Sequence, residues 1–208
     1  MAMVARTSGH EVILGDALAF LRGVADDSVL AISAFHLAEH LDFPTLLRLV
    51  AECRRVLKPQ GLLILETPNP ENIWVATHTF HHDPTHGNPL TPASLEFLVN
   101  HHGLETVAVL RLHPYPEEAR LPGNDPVTER LNAMTCGGQD FAVVAKKTPV
   151  ATVRAIAAAF PASVSTAAAA SASFPETPRP AISSAGRAML AATAGRSAPS
   201  PMMRCSCA

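Results

Sequence analysis

The stretch VLAISAFHLAEHLDFPTLL, residues 29–47, decides how the chain is read. Residues 29–35 are a continuous apolar run rich in small and β-branched side chains. That pattern predicts a strand buried on both faces, as in a parallel sheet. Asp42 is a helix N-cap, and Pro44 fits the first turn that follows it. Phe43, Leu46, Leu47, Val50, Cys53 and Leu57 recur at three- and four-residue spacing, which predicts one apolar helix face. The six residues between strand and helix, FHLAEH (35–40), therefore form a loop at the carboxyl end of a strand. Ligands bind at that edge of an open α/β sheet.

Outward from this unit the same alternation continues. EVIL (11–14) is a strand candidate, and Gly15 and Asp16 lead into a short helix, ALAFLRGV. KPQG closes the second helix and LLILE (62–66) is a further buried strand. A polar stretch, 67–90, precedes a helix from about Thr91 to His102, stopped by Gly103. Two more strands, ETVAVLRL and DFAVVAK, flank a Pro-rich loop and can pair antiparallel at one sheet edge. Strands alternating with helices predict an α/β layered fold with a largely parallel sheet.

The chain divides at about residue 147. Residues 1–10 read as a leader and 11–147 as the folded domain. Residues 148–208 are rich in Ala, Ser and Pro, with one acid (Glu176) and few large apolar side chains. Such a segment buries too little surface to offset its ordering entropy, so a mostly disordered tail is expected. Alanine content allows short helices near 152–160 and 182–192. A formal net charge of −2 offers no general attraction to nucleic acid. No apolar run is long enough to span a membrane, and the N-terminus lacks a signal-type apolar core. The four cysteines show no zinc-type pairing, so a reduced, cytoplasmic setting is expected.

His36, Glu39 and His40 spell H-x-x-E-H, the order found in inverted zinc proteases. That chemistry needs both imidazoles on one face of a continuous helix. A helix holding His36 and His40 and running on to Leu47 would place Pro44 in its interior, at a cost of about 3 kcal/mol. The histidines His78, His81, His82 and His86 lack a paired Cys or carboxylate pattern and read as a polar loop. No metal is assigned, and a histidine-based metal hydrolase is only an alternative.

GDALAFL, FHLAEHL, RRVLKPQGLLILETPNPEN and DPTH, in that order, resemble the later part of a class I S-adenosylmethionine (SAM) dependent methyltransferase. The resemblance covers about residues 11–147. It is nearest to the small-molecule and glycan O-methyltransferases of bacterial surface-polysaccharide pathways, and is similar to the ubiquinone type. It implies a Rossmann-like sheet, SAM as cofactor and a small polar or glycan acceptor. Asp16, with Ala17 beside it, matches the acid that reaches the adenine amino group. Phe35 and His36 match the strand end lining the methyl-donor pocket. Glu39 and His40 match the E-H-L where donor and acceptor meet, and Asn69, His82, Asp83 and His86 match the loop facing the acceptor. His40 and His86 are the candidate bases, with Glu39 or Asp83 as orienting partner. Asp16 reads equally well as a helix cap.

The same resemblance expects two earlier strands and a glycine-rich G-x-G turn. No G-x-G occurs in this chain, and Gln60 stands where the usual L-[KR]-P-G-G has glycine. A truncated, incomplete sheet is thus expected, with the edge of residues 29–35 exposed and open to pairing with another chain. A non-catalytic interaction module is the alternative that follows from it.

Overall fold

The structure, a computed structural model, describes residues 11–148 and the backbone of residues 188–193 and 202–207. Strands β1 (Glu11–Leu14), β2 (Val29–Phe35), β3 (Leu57–Pro68), β4 (Leu104–Pro114) and β5 (Gly138–Lys147) are joined by β6 (Ala188–Thr193) and β7 (Met202–Cys207). They form one sheet of order β1-β6-β7-β2-β3-β5-β4. β2 is parallel to β3 and β7, while β5 runs antiparallel to both β3 and β4, the edge arrangement the sequence predicts. The helices are α1 (Ala17–Arg22), α2 (Phe43–Val56), α3 (Ile73–Thr77), α4 (Pro92–His101) and α5 (Pro126–Thr135). No helix among the described residues is long and apolar enough to cross a membrane.

Local chemistry accounts for most boundaries. The Asp42 carboxylate accepts from Thr45 N at 2.8 Å, capping α2 with Pro44 in the first turn. Leu46, Leu49, Val50, Cys53 and Val56 are the buried face of that helix. Thr91 and Ser94 form a capping box at the start of α4. Gly103, at φ 73°, ends α4 in the left-handed conformation that glycine tolerates best. His102 Nδ1 then donates to Leu98 O at 2.9 Å, the role its position at a helix end predicts. The core gathers Leu46, Val50, Leu63, Leu65, Leu95 and Phe141, each fully buried. In β2, Ile32, Ser33 and Ala34 are consecutive and buried, so both faces are covered there.

Five expectations are revised. The polar stretch after β3 contains α3 and a 3-10 turn at Thr79–His82, and the Pro-rich loop contains α5. β3 begins directly at Leu57, and Gln60 lies within it at φ 67°. The outer edge of β2 is not open, because β7 pairs with it in parallel register from Ala31 to Phe35. β7 and β6 thus occupy the sheet positions expected of the two earlier family strands, with β6 antiparallel to its neighbours. Residues 188–192 are strand rather than the helix considered there. The leader 1–10, the other short helix and the rest of the tail lie outside the described residues.

Candidate functional site

The carboxyl ends of β2 and β3 and the start of β5 meet at one edge. Register places Phe35 opposite Glu66, and Pro68 opposite Asp140. His36 N donates to Glu66 O at 3.0 Å, which carries the pairing one residue past β2. His36 then turns at φ 49°, a conformation a non-glycine residue holds only when its surroundings fix it. Ala38–His40 forms a 3-10 turn, not part of a long helix. The two histidines of H-x-x-E-H consequently serve different neighbourhoods.

His36 is the hub of the first. Its Nδ1 is 3.2 Å from Glu39 Oε1, and its Nε2 is 3.7 Å from Glu66 Oε1 and 3.8 Å from Asp140 Oδ1. Contact with the Glu39 carboxylate raises the His36 pKa against the opposing effect of burial, and Asp140 and Glu66 add to it. Burial likewise pushes the Glu66 carboxyl up. Glu39 itself is fully buried. Its Oε2 accepts from Thr67 Oγ1 at 2.9 Å, whereas Oε1 has no well-aligned hydrogen bond, its His36 contact included. Asp140 Oδ2 lies 2.8 Å from His113 Nδ1.

The second neighbourhood is built on the loop 82–88. Glu39 O accepts from both Gly87 N and Asn88 N at 3.0 Å, tying this loop to the 3-10 turn. Asp83 Oδ1 accepts from Thr85 Oγ1 at 2.6 Å. The single Thr85 proton is therefore spent, so Thr85 Oγ1 accepts from His40 Nδ1 at 2.8 Å. His86 Nδ1 donates to Phe80 O at 2.7 Å. In both rings Nδ1 carries the proton and Nε2 is left as the acceptor. The rings meet edge to face, with centroids 4.7 Å apart. Bonds from Thr85 hold the Asp83 carboxyl below the usual carboxylate range. A cleft of about 170 Å³ opens beside His86, lined also by Pro68, Val75, Phe80 and Asp140.

The remaining sequence candidates fall outside these groups. Asn69 is buried, with Nδ2 donating to Gly138 O at 2.9 Å and Oδ1 accepting from Glu71 N at 3.1 Å, which makes it a clamp between β3 and β5. His82 is exposed and packs on the His78 ring. Asp16 caps α1 through Ala19 N at 2.7 Å and is exposed, so its other oxygen can still accept from an amino group. Ala17 is buried behind it, and Phe35 is half-buried at the end of β2. Asp140 and His113 had no signal in the sequence beyond their strands.

An open sheet with β2 and β3 parallel, a reversed β5 between β3 and the edge strand β4, and polar groups gathered at the strand ends is the arrangement of Rossmann-like methyltransferase folds. Residues 22–109 match a family profile described as a methyltransferase domain. A SAM-dependent methyltransferase from Archaeoglobus fulgidus superposes with a TM-score of 0.60 at 28% identity, over 64% of this chain and 66% of that one. A SAM-dependent methyltransferase from Thermotoga maritima, a possible histamine N-methyltransferase, superposes with a TM-score of 0.52 at 19% identity, over 71% of this chain and 69% of that one. No curated protein matches the chain. The chain spans slightly less than two thirds of the Archaeoglobus protein's length. The cofactor of this class is SAM. Asp16 keeps an acceptor oxygen outside its cap bond, as a contact to the adenine amino group would need; a G-x-G turn has no counterpart among the described residues.

Proposed function

We propose that this chain is a SAM-dependent methyltransferase acting on a hydroxyl of a small polar or glycan acceptor. The observation that carries the reading is His86, which lines a cleft reaching Asp140 and whose Nδ1–H is held by Phe80 O, so that Nε2 is left to accept. The cofactor supplies an activated methyl group, so the protein's share is to position the acceptor and remove its proton. In this reading the acceptor hydroxyl lies in the cleft and donates to His86 Nε2. The proton moves to that nitrogen as the oxygen gains its methyl group. Asp83, with Oδ2 4.0 Å from His86 Nε2, stabilises the charge that develops on the ring. Its own low pKa keeps it ionised for that task. His40, oriented by Thr85 and Asp83, packs against His86 and fixes its plane. Asp16, Ala17, Phe35 and His36 line the donor side.

The test is calorimetric titration of the 208-residue chain with SAM and S-adenosylhomocysteine, followed by transfer of labelled methyl to hydroxyl-bearing acceptors. One saturable site per chain is expected. His86→Ala should keep that site and lower transfer by about 10²–10⁴-fold, the usual contribution of a positioned base. A folded chain that binds neither compound refutes the reading and leaves an interaction module in its place.

A further inference from the structure

We infer that His36 Nε2, Glu66 and Asp140 form a binding site for one divalent transition-metal cation, of the Mn²⁺ or Zn²⁺ type. Their ligand atoms all lie within 4.8 Å of one another. The Nε2 separations of 3.7 and 3.8 Å compare with edges of about 3.4 Å in a tetrahedral shell of bond length near 2.1 Å. His36 Nε2 need draw only a few tenths of an ångström nearer to each carboxylate. One imidazole with two carboxylates suits the harder transition cations and leaves coordination positions open.

Glu39 gives the second, independent indication. A fully buried carboxylate whose Oε1 meets His36 Nδ1 at 3.2 Å without good alignment is costly unless positive charge compensates it. Oε1 faces His36 Nδ1, the nitrogen turned away from the acids. A carboxylate behind a histidine fixes the tautomer that offers the opposite nitrogen to a metal. His113 does the corresponding work on Asp140, occupying Oδ2 and leaving Oδ1 toward His36. Glu39, His40 and His86 also come together, but that group offers a cation one carboxylate where the His36 group offers two.

Asp140 borders the cleft as well, so a bound cation faces whatever occupies it. The class of ligand that would use the open positions carries adjacent oxygens, as in a vicinal diol or a hydroxy acid. The cation site stands whether or not the chain transfers methyl groups, because its test needs no SAM.

Mn²⁺ is titrated into the tag-free 208-residue chain and followed by loss of the free-ion electron paramagnetic resonance signal, then displaced with Zn²⁺. One site per chain is expected. Glu66→Gln and Asp140→Asn should each weaken binding more than tenfold, and Glu39→Gln by about 10–100-fold with all three ligands intact. Glu129→Gln, on α5, should bind as the parent does. Circular dichroism checks each fold; if a variant does not fold, Mn²⁺ broadening of the His36 imidazole resonances in the parent chain decides. A folded parent chain that leaves millimolar Mn²⁺ and Zn²⁺ free overturns the inference. So does binding unchanged in both Glu66→Gln and Asp140→Asn, or broadening confined to His78 and His82.

Discussion

Replacing Asn69 with alanine separates a clamp from a substrate contact. Asn69 is almost fully buried where β3 gives way to its loop. Gly138 stands opposite Pro114, and Asp140 opposite Pro68; neither proline has an N–H to give. Asn69 Nδ2 supplies the missing donor to Gly138 O at 2.9 Å, and Asn69 N bonds Gln139 O at 2.8 Å. Truncation leaves a buried carbonyl without a partner, costing about 1–3 kcal/mol, and loses the Glu71 N bond, worth about 0.5–1.5 kcal/mol. The sum is about 1.5–4.5 kcal/mol. With a urea m-value of about 2 kcal/mol/M, the unfolding midpoint should fall by roughly 1–2 M. Asn69→Asp keeps the acceptor for Glu71 N but sets a carboxylate against Gly138 O. It should be the less stable variant at neutral pH and recover as acid protonates the new carboxyl into a donor. Urea unfolding of the three proteins, with methyl-transfer KM alongside, decides. An unchanged midpoint in Asn69→Ala together with a raised KM would refute the clamp and return the residue to the acceptor site.

Three further outcomes follow from single interactions. Gln60→Gly removes a side chain held at φ 67° and should stabilise the chain by up to about 1 kcal/mol, the relief of left-handed strain less the entropy of glycine, read by thermal unfolding. Asp42→Ala removes the cap of α2 and should cost about 1 kcal/mol. The Asp42 pKa is lowered by its Thr45 bonds, so its stabilisation is present above the unfolded-state value and fades as pH falls through the folded one. The parent and Asp42→Ala stabilities should therefore converge in acid, and parallel pH profiles would contradict the cap. Thr85→Val breaks the link between Asp83 and His40 and releases Asp83 from its low pKa. Its acid limb of transfer rate against pH should move upward, with SAM affinity unchanged.

What the sequence made legible is what one element decides alone. Asp42, Thr91 and Gly103 act within a turn of where they stand, and the apolar run of β2 reports its burial directly. α5 has its own start signal in Asp125 and Pro126. It buries only Asn132, however, so it has no apolar period to follow. The candidate site is harder to read because strand register assembles it. His36, Glu66 and Asp140 come from three separate strand ends, and nothing local in DFAVVAK marks its first residue.

Glu39 shows how a motif misleads and still points to the right place. Spelled beside His40, it reads as that residue's orienting partner. In a 3-10 turn its side chain instead turns inward to Thr67 and His36, while its carbonyl receives Gly87 and Asn88. One residue therefore orients the His36 cluster with its carboxylate and anchors the His40–His86 loop with its backbone. Glu39→Gln directly removes only the first of these, because every residue offers the same carbonyl. Loss of metal affinity with methyl transfer at His86 retained would show the two neighbourhoods to be chemically separate. Parallel loss of both would mean that the buried charge, and not the backbone tie alone, holds the loop in register.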